Sequence, residues 1–160
     1  MKKGKTNAMR ILDQAKIEYD MMSYQASDGK IDGLAVAEKI GKNVEMVYKT
    51  LVSQGSSKAY YVFVIPVFAE LDLKKAAKAV DEKKIEMIPV KDMTKVTGYV
   101  RGGCSPIGMK KSFSTTIDQQ AHFLDTVIVS SGMIGIQIEL TVESLLQITK
   151  GKLADLVKTL

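Results

Sequence analysis

The chain has 160 residues, 46% of them hydrophobic, which is enough for a single core and short for two. Its one cysteine excludes an intramolecular disulfide, and one cysteine with one histidine cannot supply the three or four soft ligands of a zinc site, so neither a metal nor another cofactor is expected. A net charge of +5, from 23 Lys+Arg against 18 Asp+Glu, suits a polyanionic partner without demanding one.

The N-terminal stretch "MKKGKTNAMRILDQAK" is basic but lacks the apolar run of a signal peptide, and no segment approaches the ~18 apolar residues of a membrane span. A cytoplasmic chain without a membrane partner is expected. Thr6 reads as the N-cap of a helix that places Ala8, Ile11, Leu12 and Ala15 on one face. "EYDMMSY" alternates as a strand does, and Asp32 can cap "GLAVAEKIG" after a polar loop. "VYKTLVSQ" and "AYYVFVIP" flank "GSSK" with the composition of a β-hairpin. Asp72 can cap "LKKAAKAV", "KKIEMIPV" reads as a strand, and "KDMTKVTG" as a helix closed by Gly98. Three further strands are predicted in "SFSTTID", "TVIVSSG" and "GIQIEL". "TVESLLQITKG" then has helical start and Gly stop signals, and "KLADLVKTL" is predicted as a last helix. The sum is an α+β fold in one domain spanning 1–160, with a curved, barrel-like mixed or antiparallel sheet flanked by short helices.

Most side-chain chemistry is hard to place on this pattern. A Cys–His nucleophile would need Cys104 and His122 brought together and the thiol's pKa lowered, and nothing in their positions suggests it. His122 reads as a structural residue in a loop or at a strand edge, and Cys104 as a small apolar residue behind a loop. The carboxylates are scattered over helix faces and turns, without a credible acid–base pair. "RGGCSPIGMKK" (101–111) is neither a Walker motif nor a Rossmann fingerprint. Its glycines either permit a tight turn or expose backbone N–H groups that can face a carbonyl oxygen on which charge develops.

The blocks "VYKTLV" (47–52), "LDLKKAAKAV" (71–80), "KKIEM" (83–87) and "TGYVRGGCSPIGMKK" (97–111) resemble the signatures of the bacterial YbaK/EbsC family, part of the prolyl-tRNA synthetase editing-domain superfamily. The resemblance runs in order over nearly the whole chain. It implies a YbaK-type domain that hydrolyses, in trans, the ester of a misacylated tRNA, with Cys-tRNA(Pro) as the leading substrate and no metal. By position it implies Lys49 as the essential lysine with Thr50 beside it, Tyr24 as a pocket-shaping tyrosine, and Gly102 and Gly103 as the loop that holds the aminoacyl end. It further implies Ser130 on the pocket's far wall, with Ser105, Pro106, Gly108 and Gly132 expected to complete the binding surface. Read from the residues alone, Lys49 is either a solvated strand lysine or a partly desolvated ammonium facing a cleft. The mechanism implied is substrate-assisted, with the substrate's thiol or vicinal ribose hydroxyl aiding attack while the protein supplies position and backbone dipoles.

Three departures bear on selectivity: Met133 and Ile134 stand where the family commonly has basic residues, and Gln137 where it has an acid. "YQASDGKIDG" also differs from the family's usual stretch. A deacylase for another small amino acid such as alanine, a non-catalytic tRNA- or synthetase-binding module of the same fold, and a small-molecule binder are the alternatives. Lys74, Lys75, Lys78, Lys83, Lys84, Lys110 and Lys111 are expected to offer a basic path for the acceptor stem, with prolyl-tRNA synthetase as an accompanying partner.

Overall fold

The computed structural model describes residues 5–159. Met1–Gly4, the basic start of the leader reading, and Leu160, the end of the predicted last helix, lie outside the described residues. Helix α1 (Asn7–Gln14) starts where Thr6 Oγ1 accepts the Met9 N–H, and it buries Ala8, Met9 and Leu12. Strand β1 (Asp20–Ser23) leads through a polar loop to α2 (Gly33–Ile40), which is capped by the Asp32 carboxylate and ends in left-handed Gly41. The hairpin of β2 (Tyr48–Gly55) and β3 (Tyr60–Pro66) follows, with Lys49 opposite Ile65 and Thr50 opposite Val64. Asp72 caps α3 (Leu73–Ala79), and then come β4 (Ile85–Met87), α4 (Met93–Thr97), β5 (Ser114–Asp118), β6 (Thr126–Met133), β7 (Ile136–Thr141), α5 (Val142–Thr149) and β8 (Lys152–Ala154).

These strands form two open sheets rather than the one barrel-like sheet expected from sequence. One is antiparallel, in the order β1-β7-β6. The other is mixed, in the order β4-β2-β3-β5-β8, with β5 and β8 parallel to β3. Ile136, Ile138 and Leu140 of β7 point with Val127 and Val129 of β6 into the largest core cluster, against α1 and α5. A second cluster of Phe63, Ile65, Leu71, Ala76, Ile85 and Leu156 seats α3 on the mixed sheet.

The predicted last helix is corrected: its start forms β8. Leucine and valine spacing in "KLADLVKTL" fits a helix, but the free edge of β5 presents unpaired N–H and C=O groups, and the segment pairs there in parallel register from Thr116↔Lys152 to Asp118↔Ala154. The Leu156 N–H then donates to the buried Asp118 carboxylate at 3.0 Å, the Leu156 carbonyl accepts the Asp72 N–H at 2.8 Å, and Leu71 bridges Val157. A helix would forfeit all of these bonds. Smaller differences are that α5 ends on left-handed Lys150 rather than on a glycine, that "KKIEMIPV" keeps only three strand residues, and that His122 lies in a 3-10 turn over Gln119–Phe123.

Leu156 is fully buried in the second cluster. Leu156→Ala is expected to destabilise the fold by about 2–5 kcal/mol, read as a lower urea midpoint with an unchanged m-value.

Candidate functional site

The backbones of the two sheets meet in one parallel bridge, Val47↔Ile128, and both residues are buried. Beyond it β2 and β6 run on side by side, so Lys49 and Ser130 each lie two residues past the bridge. The strands do not pair there, and β4 reaches the edge of β2 only from Ser53 onward. The unpaired stretch of β2 therefore opens into a cavity of about 700 Å³, within the usual range of ligand sites. Lys49 and Thr50 line it from β2, Ser130 from β6, Gln137 from β7, Asp32 and Leu34 from the start of α2, and Arg101, Gly102 and Cys104 from the loop after α4. Ser130 and Gln137 are cross-strand partners, so their side chains share one face of the antiparallel sheet.

The glycine loop is held in place from behind. Buried Tyr99 donates its hydroxyl to the Ile107 carbonyl at 2.6 Å, and Thr97 Oγ1 accepts the Tyr99 N–H at 2.9 Å. The Tyr99 ring also fills the space beside the irregular stretch of β6, where a Cβ on Gly132 would lie 2.7 Å from it. Asn7 Nδ2 donates to the Gly108 carbonyl, tying α1 to the far end of the loop. Gly102 has φ +86, and a Cβ there would stand 2.8 Å from Ile31 Cδ1 and 3.7 Å from Ile134 Cδ1. Glycine is thus required both for the left-handed turn and for the close approach of two isoleucines.

The cavity's charge is positive. Lys49 is half-buried and makes no ion pair among the described residues; burial lowers its pKa, and Glu70 partly opposes that shift. Arg101 is exposed and likewise unpaired among the described residues. The lining carboxylate, Asp32, already accepts the Ala35 N–H as a helix cap. Burial pushes the Cys104 thiol up to about 11, so at neutral pH it is neither thiolate nor nucleophile. Thr50 Oγ1 and the Tyr48 hydroxyl are buried without a protein partner among the described residues.

Residues 33–148 match the model of the aminoacyl-tRNA editing domain, which takes in every lining residue from α2 onward. A protein of Enterococcus faecalis that carries the name Cys-tRNA(Pro)/Cys-tRNA(Cys) deacylase EbsC is 45% identical over 152 residues, 95% of this chain and 93% of its own length. The chain belongs to the aminoacyl-tRNA editing domain family. Solved structures share the fold at lower identity. A trans-editing enzyme for prolyl tRNA synthetase superposes with a TM-score of 0.83 at 22% identity, over 98% of this chain and all of the other. The hypothetical protein APE2540 superposes with a TM-score of 0.86 at 17% identity, over 96% of this chain and all of the other.

Within this editing domain, Lys49, Thr50, Gly102 and Ser130 gather around one volume, while the other expected site residues lie behind or beside it. The Gly103 N–H is spent on the Val100 carbonyl at 3.0 Å, so the pair of free amides expected from "GG" reduces to the Gly102 N–H, which has no protein acceptor among the described residues. Ser105 is buried and accepts the Ile107 N–H, Pro106 is buried, and Gly108 and Gly132 make room for Tyr99 and its neighbours. Tyr24 is buried beside Lys39 with its hydroxyl unpartnered among the described residues, and it does not line the cavity. His122 stacks edge-on against Phe123, away from the cavity. Arg101, Ile31 and Asp32 escaped sequence reasoning as site residues; the first sat in plain view beside Gly102. Of the expected basic path, Lys75 bonds Asp155 and the Val157 carbonyl, Lys84 pairs with Glu86, and Lys110 reaches the Lys95 carbonyl.

Gly102→Ala is expected to lower kcat/KM for a charged tRNA by about 10²-fold, because displacing the loop by a fraction of an ångström misplaces the substrate. The backbone strain should cost only about 1–3 kcal/mol, so thermal unfolding separates the lost site from a lost fold.

Proposed function

We propose that this chain is a trans-acting aminoacyl-tRNA deacylase in which the whole length forms one editing domain, and that the mischarged ester it cleaves is Cys-tRNA(Pro). The observation that carries the reading is the cavity between β2 and β6, which an unpaired, half-buried lysine and the glycine turn at Gly102 both line. Family membership and the 45% identical Cys-tRNA(Pro)/Cys-tRNA(Cys) deacylase support the reaction class.

The terminal adenosine enters with its phosphate or ribose against the Lys49 ammonium, assisted by Arg101 at the rim. The aminoacyl carbonyl faces the Gly102 N–H, which stabilises charge on the oxygen as the carbonyl carbon becomes tetrahedral. Cys104 is a neutral thiol, Asp32 caps a helix and His122 lies elsewhere, so the substrate's own hydroxyl or thiol assists the attack. Water then adds to the acyl carbon, the bond to the ribose oxygen breaks, and the products are a free amino acid and a tRNA with its terminal hydroxyl restored. The acceptor stem follows the basic surface outside the cavity, and prolyl-tRNA synthetase is the partner that would deliver the tRNA.

Labelled Cys-, Ala- and Pro-tRNA(Pro) incubated with the wild type and with Lys49→Ala test this reading. Faster release of cysteine than of proline is expected from the wild type, with a loss of about 10²- to 10³-fold in the variant. Binding without release in both would leave a tRNA-binding module instead.

Lys49 also makes a stability prediction of defined sign. Burial lowers its folded-state pKa below the ordinary value, so between the two the unfolded chain binds more protons and stability rises with pH; below that window the ammonium destabilises the fold. Lys49→Met is therefore expected to raise the melting temperature at pH 7 while losing deacylation to the same extent as Lys49→Ala, and in the wild type affinity for the terminal nucleotide should fade at a pH lower than an ordinary lysine's ~10.4.

A further inference from the structure

We propose that Gln137 makes the acyl pocket selective for the aminoacyl group in its uncharged, free-amine form. The inference rests on the deacylase reading of the site. Every aminoacyl ester carries an α-amine that is protonated at low pH, and a pocket that took it as an ammonium would offer a carboxylate. The carboxylate that lines this cavity, Asp32, is exposed and capping the start of α2, and Lys49 and Arg101 outweigh it in charge.

Gln137 is buried to 6% exposure, lies cross-strand from Ser130 on the cavity face of β7, and its side-chain amide makes no hydrogen bond to another described residue. The charged groups around it are accounted for on each element. On β2, Lys49 brings a positive charge, with Glu70 acting on it from beyond the β3 turn. On the loop after α4, Arg101 brings a second, and Cys104 stays a neutral thiol. At α2, the Asp32 carboxylate is held by the Ala35 N–H. Tyr48 is held in its neutral form by burial, with Asp118 adding to the effect. On β7 itself the next residue on the same face, Glu139, is tied to Lys42 and to Thr126 Oγ1, and it does not line the cavity. An ammonium beside Gln137 would meet a neutral amide and two unpaired cations against the single exposed carboxylate of Asp32, a net positive surrounding, whereas a free amine carries no charge and can accept from the Gln137 NH₂.

Binding measurements with two non-hydrolysable probes decide the matter. One is the 3′-aminoacylamido form of a tRNA acceptor minihelix; the other is the same minihelix carrying the des-amino acyl group. Between pH 5.5 and 8.5 the Kd of the amino probe should tighten, by about tenfold per unit below an amine pKa of about 7.7–8.0. The des-amino probe should bind with nearly constant Kd, which controls for any titration of the protein. In Gln137→Glu the trend for the amino probe should flatten or reverse. A wild-type Kd for the amino probe that is flat with pH, or tighter at low pH, overturns the inference while leaving the deacylase reading standing. Failure of both probes to bind overturns both.

Discussion

Everything at the site depends on one backbone bridge. Val47 and Ile128 join the backbones of the two sheets, whose side chains share the largest core cluster, and the strands they belong to then run on without pairing. A closed barrel would have carried the pairing of β2 with β6 on past the bridge and left no cavity between them. Because the sheets stay open, an edge of β2 becomes a wall, and the helix start at Asp32 and the loop at Gly102 cover it. The fold thus converts an unsatisfied sheet edge into a place for a ligand.

The second constraint is rigidity where the chain has no regular structure. A glycine-rich loop would ordinarily be mobile, which is a poor way to aim a backbone dipole. Here Tyr99 ties the loop's start to Ile107, Asn7 ties its end to α1, and Gly103 closes a turn onto Val100. The loop's several glycines therefore do different things. Gly102 offers its amide and a left-handed turn, Gly103 lacks a Cβ that would stand 3.1 Å from the Ile134 nitrogen of the β6–β7 connection, and Gly108 leaves room for a hydroxyl. Such division of labour explains how a site without an acid–base pair can still be precise.

Much of the local structure was legible because it is written in neighbouring residues. Thr6, Asp32 and Asp72 cap the helices they were expected to cap, and the hairpin around "GSSK" falls where its composition places it. What escaped reading is set by distant partners. Residues 152–154 form a strand because β5, some 35 residues earlier, has an edge to cover, and no periodicity within "KLADLVKTL" carries that information. The same holds for the cavity. Lys49 and Gly102 stand in motifs that mark them, whereas Ile31 acquires its place only through the fold, by packing on Gly102 from a polar loop. Whether Gly103 or Gly102 has a free amide is likewise decided by a turn bond to Val100, which sequence does not announce.

Lys39 gives the connection between β1 and α2 an unusual kind of anchor. Its ammonium reaches the carbonyls of Gln25 and Lys30 and the Asp28 carboxylate, all within 2.9 Å, and sits 5.9 Å from the centre of the Tyr24 ring. Two of those three acceptors are main-chain atoms, which any residue provides. The side chains of this loop are therefore not what fixes its course: a single cation holds the path of the backbone, and with it the placement of Ile31 against Gly102.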